Sequence, residues 1–356
     1  MSDIIFKDIE QQKEVKLPEN LIFGRTFTDH VFEMDYDEAL GGWHNPTIKK
    51  FGDLRMSPAT MVLHYGQAIF EGMKAYKQDN GKIALFRPQD HFKRLNRSAK
   101  RMCVPLVDEK FLLDALIELI KIDKDWIPTK PGHALYIRPL IFATDPFLGV
   151  RASNNYKLII MLSPVGPYYP EGFKPVPILA TDNYVRAVRK GVGECKTAGN
   201  YAASLAAQQE AIKEGYTQVL WLDAIEQKYL EEVGTMNIFV QFKDEVATPP
   251  LTGSILPGIT RKSVIQILKD WNYNINERPI ALQEVIDRYK EGTLVEIFGS
   301  GTAAVISSLS RLKYHDTVLE FSEEKAGELG TKLYNEITDI QYGRKEDRYN
   351  WLVYLY

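Results

Sequence analysis

Two residues in this chain are suited to chemistry by type and spacing: a lysine among small residues, and a carboxylate 36 positions downstream. The lysine is Lys196, in Gly191-Val-Gly-Glu-Cys-Lys-Thr-Ala-Gly-Asn-Tyr201, where glycine and alanine leave room for a planar ring. The carboxylate is Glu232, which opens Glu232-Val-Gly-Thr-Met-Asn-Ile-Phe239, with Gly234 expected to let the backbone pass close to a ligand. Pyridoxal phosphate requires both groups. A lysine holds its aldehyde as a Schiff base, and an acid keeps its ring nitrogen protonated so that the ring serves as an electron sink. Either residue alone reads as a solvated surface charge. A lysine also needs desolvation or a neighbouring cation to act as a nucleophile near neutral pH. Arg186 and Arg189, just upstream, either supply that field or are exposed, and the sequence does not choose.

Further segments run in order through nearly the whole length: Phe70-Glu-Gly-Met-Lys-Ala-Tyr76, Phe86-Arg-Pro88 with Arg94-Leu-Asn-Arg-Ser-Ala99, Leu148-Gly-Val150, Leu256-Pro-Gly-Ile-Thr-Arg261 and Gly299-Ser-Gly-Thr-Ala303. With them the chain resembles a branched-chain amino acid aminotransferase of the longer class, within the fold type IV pyridoxal phosphate enzymes. The fold this implies is a two-domain α/β (α+β) architecture, with a smaller N-terminal α/β domain and a larger C-terminal domain carrying a barrel-like sheet. The activity it implies is transamination of L-leucine, L-isoleucine and L-valine with 2-oxoglutarate, giving branched-chain 2-oxo acids and L-glutamate, by a homodimer.

The resemblance also implies roles. Lys196 would hold the cofactor and shuttle the proton, and Glu232 would serve the ring nitrogen. Arg94 matches a phosphate-binding arginine, Ile259 and Thr260 a phosphate-binding helix N-terminus, and Thr302 a second phosphate contact. Tyr201 matches the tyrosine on the ring's phenolic oxygen, Arg186 an arginine near the cofactor, and Asn237 a residue ordering the Glu232 turn. Tyr65, Phe70, Tyr136 and Tyr168 would form an aromatic wall, with Arg138 anchoring the γ-carboxylate of glutamate. Thr235, Thr302 and Ala303 would meet the α-carboxylate, Lys74 joins the substrate-binding set, and Val150 would reach the neighbouring subunit's pocket. Several have a plainer reading. Arg94 shares its helix with Lys93, Arg97, Lys100 and Arg101; Tyr201 precedes an alanine run that suggests tight packing; Phe70 and Tyr136 are ordinary strand residues, and Lys74 an ordinary exposed lysine. Where animal members carry a redox-active Cys-x-x-Cys, this chain has Ala304 and Ser307.

Two other readings are weaker. D-amino acid transaminases and aminodeoxychorismate lyases share the cofactor and fold, but length, Arg138 and the Phe70 segment argue against them. A nucleotide-binding dehydrogenase would need Gly-x-Gly-x-x-Gly after a strand, and Gly299-Ser-Gly-Thr-Ala-Ala304 lacks the third glycine.

Composition agrees with a small-molecule enzyme. The 356 residues exceed one usual core, and 45% are hydrophobic. With 44 basic and 47 acidic residues, net charge −3 and no long basic run, nothing favours nucleic acid or an anionic membrane. Two cysteines, Cys103 and Cys195, build no disulfide framework and fit a reducing cytoplasm. The N-terminus lacks signal- or transit-peptide character, no stretch is of membrane-spanning length, and no metal site is expected.

The elements that must position these residues follow from pattern. Strands are expected over 61–75 (broken by Gly66 and Gly72), 82–86, 134–142, 156–162, 176–180, 218–222, 228–232 and 237–241. Helices are expected over 89–102, 108–122, 202–213, 261–269 and 322–338. The stretch Pro164 to Pro175, with four prolines and two glycines, reads as irregular and as the domain linker. The expected domains are 1–165 and 177–356, with the linker at 166–176.

Overall fold

The computed structural model describes residues 3–9, 15–167 and 173–355, in two units. One comprises residues 1–168, 195–198 and 339–356, and the other 169–194 and 199–338. The sequence reading instead runs the second domain unbroken to the C-terminus. The short piece around Lys196 is held by hydrogen bonds to the first unit, which no periodicity announces.

The first unit contains β1 (Ile5–Phe6), β2 (His30–Asp37), β3 (Gly42–Lys50), α1 (Met61–Tyr65), β4 (Ala68–Phe70), β5 (Met73–Lys77), β6 (Ile83–Phe86), α2 (Pro88–Arg101), α3 (Glu109–Ile122), β7 (Ala134–Ala143) and β8 (Asn155–Val165). The last strand of the chain, β18 (Leu352–Tyr354), joins its sheet, which runs β1-β3-β2-β8-β7-β5-β6-β18, and β4 pairs with β7. Proline at its first position opens α2, and the Asp108 carboxylate caps α3 by accepting the Phe111 N–H at 2.8 Å. The apolar face of α3, with Leu112, Ala115, Leu116, Leu119 and Ile120, is buried in one core with Phe32, Met34, Leu135 and Ile160 of the sheet.

The second unit contains β9 (Val176–Thr181), α4 (Ala198–Ala202) from Gly199 on, α5 (Leu205–Lys213), β10 (Gln218–Leu222), β11 (Leu230–Val233), β12 (Met236–Phe242), β13 (Val246–Thr248), α6 (Ile259–Asp270), β14 (Ile275–Glu277), α7 (Leu282–Lys290), β15 (Leu294–Gly301), β16 (Val305–Tyr314), β17 (Thr317–Glu320) and α8 (Glu328–Gln341) as far as Thr338. Six strands close on themselves in the order β11-β10-β9-β16-β15-β12, with β12 pairing back to β11. The barrel-like sheet is therefore present, in a mixed α/β fold.

Several elements differ from the sequence reading. Residues 61–65 form a helix ended by Gly66 at φ +61°, because a short apolar run suits a helical turn as well as a strand. Pro164 is inside β8, opposite Leu135; β2 pairs with β8 only as far as Ile160, so Pro164 lies past the end of that ladder and breaks no rung of it. The helix expected over 202–213 is two helices, interrupted where the Ser204 hydroxyl donates to the Tyr201 carbonyl. The last helix begins at Glu328, because Ser322 accepts from Lys325 N–H in a local turn, while Glu296 of β15 accepts from Leu329 and Gly330 N–H. The β2–β3 pair has no counterpart in the sequence reading.

Candidate active site

The first unit fixes Lys196 by its backbone. Phe70 N–H donates to the Lys196 carbonyl at 3.0 Å, and Lys196 N–H donates to Ser98 Oγ on α2 at 3.0 Å. Thr197 Oγ1 donates to the Ala68 carbonyl at 2.8 Å, so the 195–198 segment lies against β4 like a fragment of strand. Lys196 Nζ stands 4.8 Å from the centre of the Phe70 ring. The Arg138 guanidinium carbon stands 4.7 Å from the same ring and donates through Nη2 to Tyr136 Oη at 2.9 Å. Tyr136 and Arg138 alternate on one face of β7, as their spacing predicts. A Cβ on Gly72 would lie 2.0 Å from that tyrosine hydroxyl, so the glycine is what lets the ring swing over the strand.

Lys74, opposite Tyr136 in the β5–β7 ladder, is only 7% exposed. The reading of it as an ordinary exposed lysine is therefore wrong, and burial pushes its amine down to about 8. Arg94 is likewise no solvated helix charge. It is buried, and its Nε and Nη2 fork onto the two oxygens of Glu71, at 2.7 and 2.9 Å. Tyr65 donates to the Leu148 carbonyl, and Val150 is 85% exposed. Tyr168 lies outside the described residues.

In the second unit Glu232 is buried on β11. Its Oε1 accepts from Asn237 Nδ2 and Leu256 N–H, both at 3.1 Å, and its Oε2 stands 2.6 Å from Arg186 Nε. That ion pair is close without being hydrogen-bond aligned; Arg186 Nη2 donates instead to the carbonyls of Gly193, at 3.1 Å, and Ser254. Arg186 is thus a buried partner of Glu232. Gly234 makes the two-residue β11–β12 turn at φ +57°, and the group its missing side chain admits is the Gln218 amide. Asn237 pairs with Glu232 on one side and Ser300 on the other, so the turn carrying Thr235 and the turn carrying Thr302 and Ala303 share one end of the barrel. Val305, which closes the second turn, has φ +63°, a strained conformation for a β-branched residue. Ile259 and Thr260 open α6 after Gly258, and no side chain caps their amides. Tyr201 is half-buried on α4, and the alanine run after it packs only at its far end: Ala202, Ala203 and Ala206 are exposed, and Ala207 is buried.

Among the described residues no His, Cys, Asp and Glu cluster could hold a metal ion, and no helix is long and apolar enough to cross a membrane. Sequence reasoning missed Glu71, His91 and Ser98. The first stood in a quoted motif, and the last two lie at helical spacing from Arg94.

Residues 68–312 match the model of amino-transferase class IV, and the chain belongs to that family of enzymes. Over 334 residues it is 54% identical to branched-chain-amino-acid aminotransferase 2 of Bacillus subtilis, covering 94% of this chain and 92% of the relative. Among solved structures, the branched-chain amino acid aminotransferase of Escherichia coli superimposes with a TM-score of 0.75 at 25% identity, covering 92% of this chain and all of that one. Another branched-chain amino acid aminotransferase, solved with pyridoxamine 5′-phosphate, gives a TM-score of 0.76 at 25% identity, covering 93% of this chain and all of that one.

Proposed function

We propose that this chain transfers the amino group of L-leucine, L-isoleucine or L-valine to 2-oxoglutarate, giving the branched-chain 2-oxo acids and L-glutamate, with pyridoxal 5′-phosphate as cofactor. The reading includes a cytoplasmic location and a homodimer whose partner pocket receives Val150. The names of the relatives support the substrate class. The observation that carries the chemistry is the anchoring of Lys196 through both its N–H and its carbonyl, which leaves only the side chain to move.

The residues present fit the cofactor. Glu232 is a buried acceptor braced by three groups, as a protonated ring nitrogen requires. Arg94 and the uncapped amides of Ile259 and Thr260 suit a phosphate, with Thr302 as a further contact. Tyr201 and Arg186 complete the cofactor set. When bound, pyridoxal phosphate supplies the carbonyl that takes up the amino group and the ring that accepts electrons. Lys196 Nζ would take the proton from the substrate α-carbon and hand it to the cofactor's C4′, and would carry it the opposite way in the second half-reaction. Phe70, Tyr136, Tyr65 and the stem of Lys74 wall the apolar side chain, and Arg138 with the Tyr136 hydroxyl receives the γ-carboxylate of glutamate. The α-carboxylate goes to Thr235 and to the turn at Thr302 and Ala303.

A panel of amino donors with 2-oxoglutarate tests the substrate class, and Lys196→Ala tests the assignment. The variant should give no transamination, and borohydride should fix no cofactor to it. Turnover by the variant, or a reducible link formed at another lysine, would sink the reading.

A further inference from the structure

Glu71 lies between β4 and β5 and is fully buried, yet the chemistry above gives it no task. Its oxygens are crowded with donors. Oε1 accepts from Arg94 Nε at 2.7 Å; Oε2 accepts from Arg94 Nη2 at 2.9 Å, His91 Nδ1 at 2.8 Å and Gly72 N–H at 3.2 Å. Its own N–H donates to the Pro139 carbonyl at 2.8 Å, which ties it to β7. The arginine fork keeps the carboxyl ionised, well below the usual carboxylate range, despite its burial. Burial holds His91 toward the neutral ring, so its Nδ1–H serves as a donor.

His91, Arg94 and Ser98 follow one another along one face of α2. Ser98 receives the N–H of Lys196, and Phe70, the neighbour of Glu71, donates to its carbonyl. A guanidinium whose Nε and Nη2 edge is locked has its plane, and so the direction of its remaining donors, decided before any anion arrives.

We propose that Glu71, held by His91, is a positioning residue that pre-orients Arg94 for the cofactor's phosphate. The proposal rests on the reading of Arg94 as a phosphate ligand. Removing the carboxylate charge in Glu71→Gln sets an amide N–H against one arginine donor, so the fork cannot form on both sides. The phosphate then meets an arginine that must be ordered on binding.

The test compares pyridoxal 5′-phosphate with pyridoxal, which lacks the phosphate, in equilibrium dialysis against the full chain. Glu71→Gln should weaken pyridoxal 5′-phosphate by about ten- to a hundredfold, the range for losing an outer-shell carboxylate at a metal site. Pyridoxal binding should be unchanged. A parallel loss of both ligands, or no loss, or tighter phosphate binding, would each overturn the positioning role. Should Glu71→Gln fail to fold, His91→Asn, which keeps a donor, should bind like the parent, while His91→Leu should lose phosphate selectivity. Equal behaviour of those two would overturn the proposal. Arg94→Gln separates the two levels of argument: if it leaves the ratio of the two affinities unchanged, the phosphate reading itself fails.

Discussion

Lys74 offers the sharpest quantitative test, because its burial costs stability over a defined pH range. Its amine sits at about 8 in the folded chain against an ordinary 10.5, with burial as the cause. Between these values the unfolded chain binds more protons, so stability rises with pH across pH 8 to 10.5; below pH 8 the penalty is complete. At about 1.4 kcal/mol per pH unit the interval corresponds to about 3 kcal/mol. Lys74→Met keeps the length and apolar stem and removes the titration. At pH 7 the variant should be more stable than the parent by up to about 3 kcal/mol, and the difference should shrink to near zero by about pH 10.5. Urea midpoints of both proteins, followed by tryptophan fluorescence from pH 7 to 10.5, give that difference directly, with every other titrating group cancelled. A difference that stays flat across the range would refute the burial argument.

Two other outcomes are expected. Arg138→Met should raise the barrier for glutamate and 2-oxoglutarate by about 1.5 to 3 kcal/mol while leucine changes little, since only a carboxylate loses a charge-assisted partner; equal losses in kcat/KM for both would place Arg138 in the scaffold. Thiol labelling of the folded protein should modify the exposed Cys103 and spare Cys195, which is 2% exposed, with the second thiol reacting only after unfolding. Rapid native labelling of Cys195 would contradict that prediction.

The sequence made the chemistry more legible than its supports. Lys196 and Glu232 stand out because their residue types and surroundings are unusual over a short window. That Tyr136 and Arg138 share a face follows from strand alternation, while the roles given to them come from the resemblance. The groups that hold them do not, since a hydrogen bond such as that from Lys196 to Ser98 joins residues 98 positions apart. Arg94 and Glu71 illustrate the same limit: the helix alone reads Arg94 as one charge among several, its segment gives Glu71 no role, and burial of the pair changes the meaning of both. The β2–β3 pair was missed because charged and polar residues at its partly exposed positions blur the apolar pattern.

The closed ladder of the second unit bears on which kinds of genetic change this protein can absorb. Glu231 and Glu232 are neighbours on β11, and adjacent residues of a strand face opposite sides. Both are buried with different partners, Glu231 with Ser254 and Glu232 with Asn237 and Arg186. Deleting or inserting one codon in β11 would exchange their places, and a ring of six strands has no open edge at which such a slip could be relaxed. Substitutions can drift through these strands one side chain at a time. Changes of length are confined to the connections, where an added residue leaves the faces of the strands as they are.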